Sequence, residues 1–302
     1  MGAPDAAAMK PATPDIECEV ERYLRTGMSD PNHAAWPGRT CIDSAKMARA
    51  DLTNALVAEV RRRSGPWTPP LAMRELDVVA FTRSRVEPMV RGLFPQAEQN
   101  TVLALVERSV VFLTPGNIDA ILRGESWPRT AWDIANLYLG SIGAELLGED
   151  APRIVGLSAG TTCFLSPAYF EEEHPFADFL VHEVAHIFHN CKRRTAGLVE
   201  TRRREWLLDI SFRRRETFAY ACEAYARVLD RAATTRERTA IAAEIDRDFA
   251  TGDERVDPGE VADIVREASA RRNGWKVVLR RCAAPPRPKR TAALPDALGQ
   301  SD

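Results

Sequence analysis

The chain has 302 residues, 45% of them hydrophobic and 28% charged, and its formal net charge is -2. Such a composition belongs to a globular protein of one large domain or two small ones, and so small a charge sets up no overall field for nucleic acid or anionic lipid. No apolar run approaches the roughly 18 residues of a membrane span, and the N-terminus has neither the basic start nor the apolar core of a signal peptide, so the expected location is the cytoplasm, with no membrane partner.

Residues 1–42 read as a flexible N-terminal segment: an Ala/Pro-rich start, a short helix at 16–25, then a loop rich in Gly, Pro, Asn and Asp. His33 and Trp36 in that loop read as surface residues. A single domain is expected over 43–282. Asp43 or Ser44 can cap a helix running to about residue 63, with Met47, Leu52, Leu56, Val57 and Val60 as its apolar stripe. Val78-Val79-Ala80-Phe81 fits a short strand or part of a helix. A helix at 96–108 leads into Ser109-Val110-Val111-Phe112-Leu113-Thr114, a buried strand or a helix end. Thr130 and Gly148 bracket a helix over 131–147 whose apolar side chains, among them Trp132, Ile134, Leu137 and Leu139, cover much of its circumference. It is expected to be central and packed on several sides.

Two short strands are expected at 153–157 and 161–165, about Ser158-Ala159-Gly160, with Cys163 as buried filler. A helix starting near Pro175 follows. The segment 192–216 is dense in arginine, but Glu200, Glu205 and Asp209 interleave, which favours ion-paired helix faces over a nucleic-acid surface. A helix over 216–233 carries Phe218, Cys222, Tyr225 and Leu229 on one stripe and Glu216, Tyr220, Glu223 and Arg227 on another. A polar stripe on a helix otherwise fit for burial needs partners inside the fold, and zinc would be one. Helices at 237–249 and 257–271 and a strand or helix at 275–279 complete the domain, and 283–302 reads as a disordered tail. The six cysteines, Cys18, Cys41, Cys163, Cys191, Cys222 and Cys282, form no C-x-x-C pair and are expected as free thiols.

The chemistry concentrates in Val181-His182-Glu183-Val184-Ala185-His186, an H-E-x-x-H pattern. On a helix His182 and His186 stand one turn apart on one face, where two imidazoles can hold one Zn²⁺ at about 2.0–2.1 Å each. Glu183 lies about 100° round the helix, beside the ion, where it can take a proton from water that the metal activates. Only five histidines exist and none follows His189, which excludes a downstream histidine as third ligand. His189 continues the face of the pair but lies about 10.5 Å along the axis from His182, so it is expected to line the cleft or support a ligand. His174 is an outside candidate. The natural third ligand is a glutamate on the later helix, Glu216 or Glu223. These two are also about 10.5 Å apart along their helix, so only one can bind. Glu216, which opens the helix, is favoured, with Glu223 holding a ligand histidine through its second ring nitrogen.

His182-Glu183-x-x-His186 followed by Glu216 at the start of a later helix resembles the gluzincin metallopeptidases, in the compact form of the ImmA/IrrE-like protease domain. The resemblance covers about residues 130–232. It implies an α+β, predominantly helical fold with a zincin-like core: a backing helix, a small sheet, the H-E-x-x-H helix and a glutamate helix. It implies a zinc cofactor held by His182, His186 and Glu216, Glu183 as catalytic base, and a protein or peptide substrate. The stretch 161–165 would be the edge strand along which extended peptide lies, and Tyr169, Tyr220 or Tyr225 would supply a donor to the oxyanion. The E-x-x-x-D pattern of thermolysin-like members is missing, since residue 220 is Tyr, and no helix-turn-helix is visible. The rival reading is a zinc-stabilised binding or regulatory protein that cleaves nothing, in one form associated with nucleic acid through the arginine-rich stretch. An intact Glu183 argues against it, because a structural site needs no base.

Overall fold

Val110-Val111-Phe112 and Thr162-Cys163-Phe164-Leu165 place apolar side chains at successive positions, so strands built from them need cover on both faces. The computed structural model describes residues 15–202, 204–245 and 253–285 and shows how that cover is provided. In chain order the elements are α1 (Ile16–Thr26), α2 (Cys41–Arg63), α3 (Val78–Leu93), α4 (Gln96–Val106), β1 (Val110–Phe112), α5 (Ile118–Gly124), α6 (Pro128–Ser141), β2 (Gly156–Ala159), β3 (Thr162–Leu165), α7 (Phe179–Asn190), α8 (Arg215–Arg231), α9 (Thr235–Ala243), α10 (Pro258–Ser269) and α11 (Trp275–Cys282). The fold is α+β and mostly helical, with a three-stranded sheet in the order β1-β3-β2. β1 runs parallel to β3 with Val110 opposite Cys163, and β2 runs antiparallel to β3 with Leu157 opposite Phe164.

The strand alternation divides the core in two. Val110, Phe112, Cys163 and Leu165 face one cluster, formed with α3, α4, α7, α8, α10 and α11. Val111, Phe164 and Leu157 face the other, formed with α1, α2, α5 and α6. The sheet is thus a thin middle layer between two helical layers. Asn136, buried on α6, accepts through Oδ1 from the N–H of Leu147 and pins the loop after that helix.

Several expectations change. Residues 15–42, placed beforehand in a flexible segment, belong to the packed fold: Tyr23 of α1 and Trp36 are 1% exposed, and the Trp36 indole donates to Asp51 on α2 at 2.9 Å. Trp36 is therefore no surface residue. Thr40, rather than Asp43 or Ser44, caps α2, in a reciprocal capping box with Asp43. α6 starts at Pro128, which suits a first helical position, so Thr130 lies inside the helix. It ends at Ser141, and Gly143 then takes a left-handed φ of 69°. The motif helix begins at Phe179 behind an Asp178 cap, leaving Pro175 outside.

β3 is the central strand, paired on both sides, so 161–165 offers no free edge; β2 does. The arginine-rich connection is not a helix but holds two 3₁₀ turns, Arg193–Ala196 and Phe212–Arg214. Its cations pair with Glu98 and Glu260 as well as with Glu200 and Glu205. Val78–Phe81 and 275–279 are helical, and α5 was not expected. Residues 246–249 of the expected 237–249 helix, and most of the terminal stretches read as disordered, lie outside the described residues. Among the described residues, no helix is long and apolar enough to cross a membrane.

Candidate metal centre

α7 is apolar nearly all round, and its His and Glu side chains are buried with the rest. Its first turn is fixed by Asp178, whose Oδ1 accepts from the N–H of Val181 at 3.2 Å. One helical turn separates His182 and His186, and their rings stand 4.9 Å apart, edge to face. α8 packs closely against α7, with Ala219 and Ala224 fully buried on either side of its polar stripe, and brings Glu216 to the histidines. The Glu216 Oε2 is 3.7 Å from His182 Nε2 and 3.3 Å from His186 Nε2. One potential ligand atom from each of these three residues lies within 4.8 Å of the others, the spacing of a group that could hold a metal ion.

The remaining ring nitrogens are engaged elsewhere, which leaves both Nε2 atoms toward Glu216. His182 Nδ1 is 2.9 Å from Glu223 Oε2. Glu223 Oε1 accepts from the backbone N–H of Asp178 at 2.7 Å, so this carboxylate joins the ligand histidine to the helix cap. His186 Nδ1 is 3.0 Å from His189 Nε2, and His189 Nδ1 is 3.1 Å from Asn190 Oδ1. His174 lines the groove but does not join the group.

Glu183 lies against β2, in the same groove as the two histidines and Glu216. A Cβ on Gly156 would stand 2.7 Å from its Cγ and 2.8 Å from Oε1, so the carboxylate fits only because β2 has a glycine there. Ser158, also on β2, is close enough to Glu183 to favour its charged form slightly. Burial raises the Glu183 carboxyl, against the opposing pull of His182 and His186. For His182 burial works against the charge, but Glu216 and Glu223 prevail and push it up to about 10. Burial likewise opposes the Glu216 charge, and the two histidines hold that carboxyl well below its usual range. Burial, then His186, pushes His189 down to about 3, so its ring is neutral. Two imidazoles and one carboxylate, those of His182, His186 and Glu216, form a group that could hold a metal ion.

A groove of about 1140 Å³ opens over these residues, lined on one side by residues 153–158 and on the other by α7 and α8. The Ser166 N–H donates to Val155 O at 2.8 Å. Alternation along an antiparallel pair then turns the N–H and C=O of Gly156 and Ser158 away from β3, to the free edge beside the groove. Of the three tyrosines considered as donors, Tyr220 lines the groove, its ring 4.5 Å from His182. Tyr169 instead donates to Asp178, and Tyr225 packs on Trp275. Asp178, Gly156, Ser158 and Asn190 were not picked out from the sequence as part of a site. An Asp just ahead of an apolar helical run is a cap signal and could have been found. A glycine within a strand marks a close approach, but not of what.

No protein-family model matches the chain, and neither do curated proteins or solved structures.

Proposed function

We propose that this chain is a zinc-dependent metallopeptidase, with His182, His186 and Glu216 as metal ligands and Glu183 as the general base. The observation that carries the reading is the position of Glu183. Its buried carboxylate lies between a three-residue group able to hold an ion and the free edge of β2, in one open groove. When bound, the ion supplies Lewis acidity, polarising a carbonyl and easing the deprotonation of water.

The chain's own groups do the rest. An extended substrate pairs through its backbone with the exposed N–H and C=O of Gly156 and Ser158, which favours peptide over other hydrolysable groups. Glu183 accepts the proton of the attacking water and delivers it to the leaving amine. Its place in the groove beside the ligand histidines lets one carboxylate serve both halves of that cycle. Glu223 and the Asp178 backbone keep the His182 ring in place, so the ligand set is preorganised. A purely structural metal site would not need a buried carboxylate aimed at the groove.

The test combines metal analysis with one substitution. The purified chain is expected to retain about one zinc per molecule after mild dialysis, and to hydrolyse a library of unstructured peptides. Glu183→Gln should keep metal and fold, and lose hydrolysis by about 100-fold or more, because the amide cannot accept the proton. Parent-level cleavage in Glu183→Gln, or a folded chain that takes no zinc, would remove this reading.

A further inference from the structure

His189 is 3% exposed, carries two ring nitrogens that must find partners, and takes no place in the three-residue metal group. Its Nε2 faces His186 Nδ1 at 3.0 Å, and its Nδ1 faces Asn190 Oδ1 at 3.1 Å. The rings of His186 and His189 meet nearly edge to face, at 84°. One proton lies between the two imidazoles, and which ring owns it decides whether His186 can bind a metal through Nε2.

We propose that His189 is a positioning residue: an acceptor that fixes His186 with its proton on Nδ1, so that Nε2 presents its lone pair beside Glu216. The inference rests on the metal-centre reading above. The Asn190 carbonyl oxygen accepts the Nδ1 proton of His189. His189 is buried with no carboxylate on either ring nitrogen, so nothing supports a charge on it; with Nδ1 protonated it has only its Nε2 lone pair left for His186. His186 must then donate from Nδ1, which leaves Nε2, 3.3 Å from Glu216 Oε2, as the nitrogen that a cation can take. The opposite arrangement would set two acceptors, His189 Nδ1 and Asn190 Oδ1, against each other.

The two ligand histidines are therefore oriented by different chemistry. His182 leans on the Glu223 carboxylate, and His186 on a neutral imidazole. An imidazole relay orients its ligand without adding a further negative charge to a site that already holds Glu183, Glu216 and Glu223. Asn190 lines the groove. With its oxygen turned to His189, its NH₂ group is the part left to meet a substrate.

The test uses the full chain. Zinc affinity is measured by competition with a chelator for the parent, His189→Leu and His189→Gln, with circular dichroism to verify folding. Nitrogen-15 spectra of the histidines in the metal-free parent report the tautomer of His186 directly. The expected result is an Nδ1–H tautomer for His186 and a zinc affinity about 10–100-fold weaker in His189→Leu. His189→Gln, whose side-chain oxygen can still accept, should recover most of that loss. Equal affinities in the folded parent and His189→Leu would overturn the proposal, as would an Nε2–H tautomer in the parent. Should His189→Leu fail to fold, the parent's tautomer alone decides. A parent that binds no zinc but shows the Nδ1–H tautomer would sink the metallopeptidase reading and leave the positioning role standing.

Discussion

Glu216 and Glu223 present the same functional group from one helix, seven residues apart, and their neighbours give them different roles. Glu216 meets both histidines at Nε2, on the open side of the site, and is partly exposed to the groove. Glu223 is 1% exposed and spends both oxygens on protein donors, His182 Nδ1 and the Asp178 N–H. Only Glu216 keeps a carboxylate free to share with an ion. Glu216→Ala is expected to strip zinc from the chain under chelator competition, since it removes a bond and a charge together. Glu223→Ala should retain metal with an affinity reduced by about 10–100-fold. It should also unfold more easily, because the amide of Asp178 loses its partner in a buried place, at about 1–3 kcal/mol. The reverse order of metal loss in two folded variants would transfer the ligand role to Glu223.

The start of α7 explains how one helix is held in register with two others. Asp178 caps it and also receives Tyr169 from the turn ahead, while its second oxygen takes the guanidinium of Arg85 on α3. Arg85 reaches Asp230 on α8 as well, at 2.6 Å, so α3, α7 and α8 meet at one charged knot. Asp178 has 0% of its side chain exposed, and Arg85 17%. Asp178→Ala should therefore cost more than the roughly 1 kcal/mol of a lost cap. Arg85, left with Asp230 alone, adds to it, short of the about 3–5 kcal/mol of a fully broken buried ion pair. Asp178→Asn keeps a capping oxygen and should fall between. Urea unfolding of the three chains checks this: equal midpoints for Ala and Asn would show that the charge alone matters, and an Asn midpoint equal to the parent's would show that the cap alone does. Local signals of this kind made His182, Glu183 and His186 legible in the sequence, because their geometry depends on one helix only. Glu216 was legible as a polar stripe on an apolar helix. The strand order was not: β2 and β3 are both short and partly apolar, and only their pairing with β1, from far upstream, decides which is the edge. Gly156 could not be matched with Glu183 for the same reason. Trp36 escaped because its partner, Asp51, lies in the next helix and its loop reads as polar. The α6 boundaries moved because Pro128 already suits a first turn and the chain turns at Gly143.

The connection from α7 to α8 sets where Glu216 stands relative to the histidines, and it crosses the molecule with little regular structure. Its anchor is Arg193, whose side chain is 3% exposed and forks onto Glu98 of α4 at 2.7 and 3.2 Å. The Arg193 Nε also donates to Val199 O at 2.8 Å, which closes the loop on itself. Exposed Arg204 adds a weaker contact to Glu98 at 3.3 Å. The side-chain hydrogen bond from Arg193 lowers the Glu98 carboxyl below its ordinary value, and burial opposes it. A carboxyl lowered by folding stabilises the native state fully above its unfolded pKa of about 4.3, and this contribution is lost as pH falls through the folded value. Glu98→Gln removes the charge at every pH while keeping an acceptor. At pH 7 it should destabilise the chain by about 3 kcal/mol, the low end for a broken buried pair, since Glu98 lies near solvent. The gap between parent and variant should then close as the solution is acidified below the unfolded pKa. Urea unfolding at pH 7 and through the acid limb measures the gap directly. A gap that stays constant in acid would mean that shape, not charge, anchors the connection. A gap near zero at pH 7 would mean that the Arg193 fork does not hold the two helices of the metal site in register.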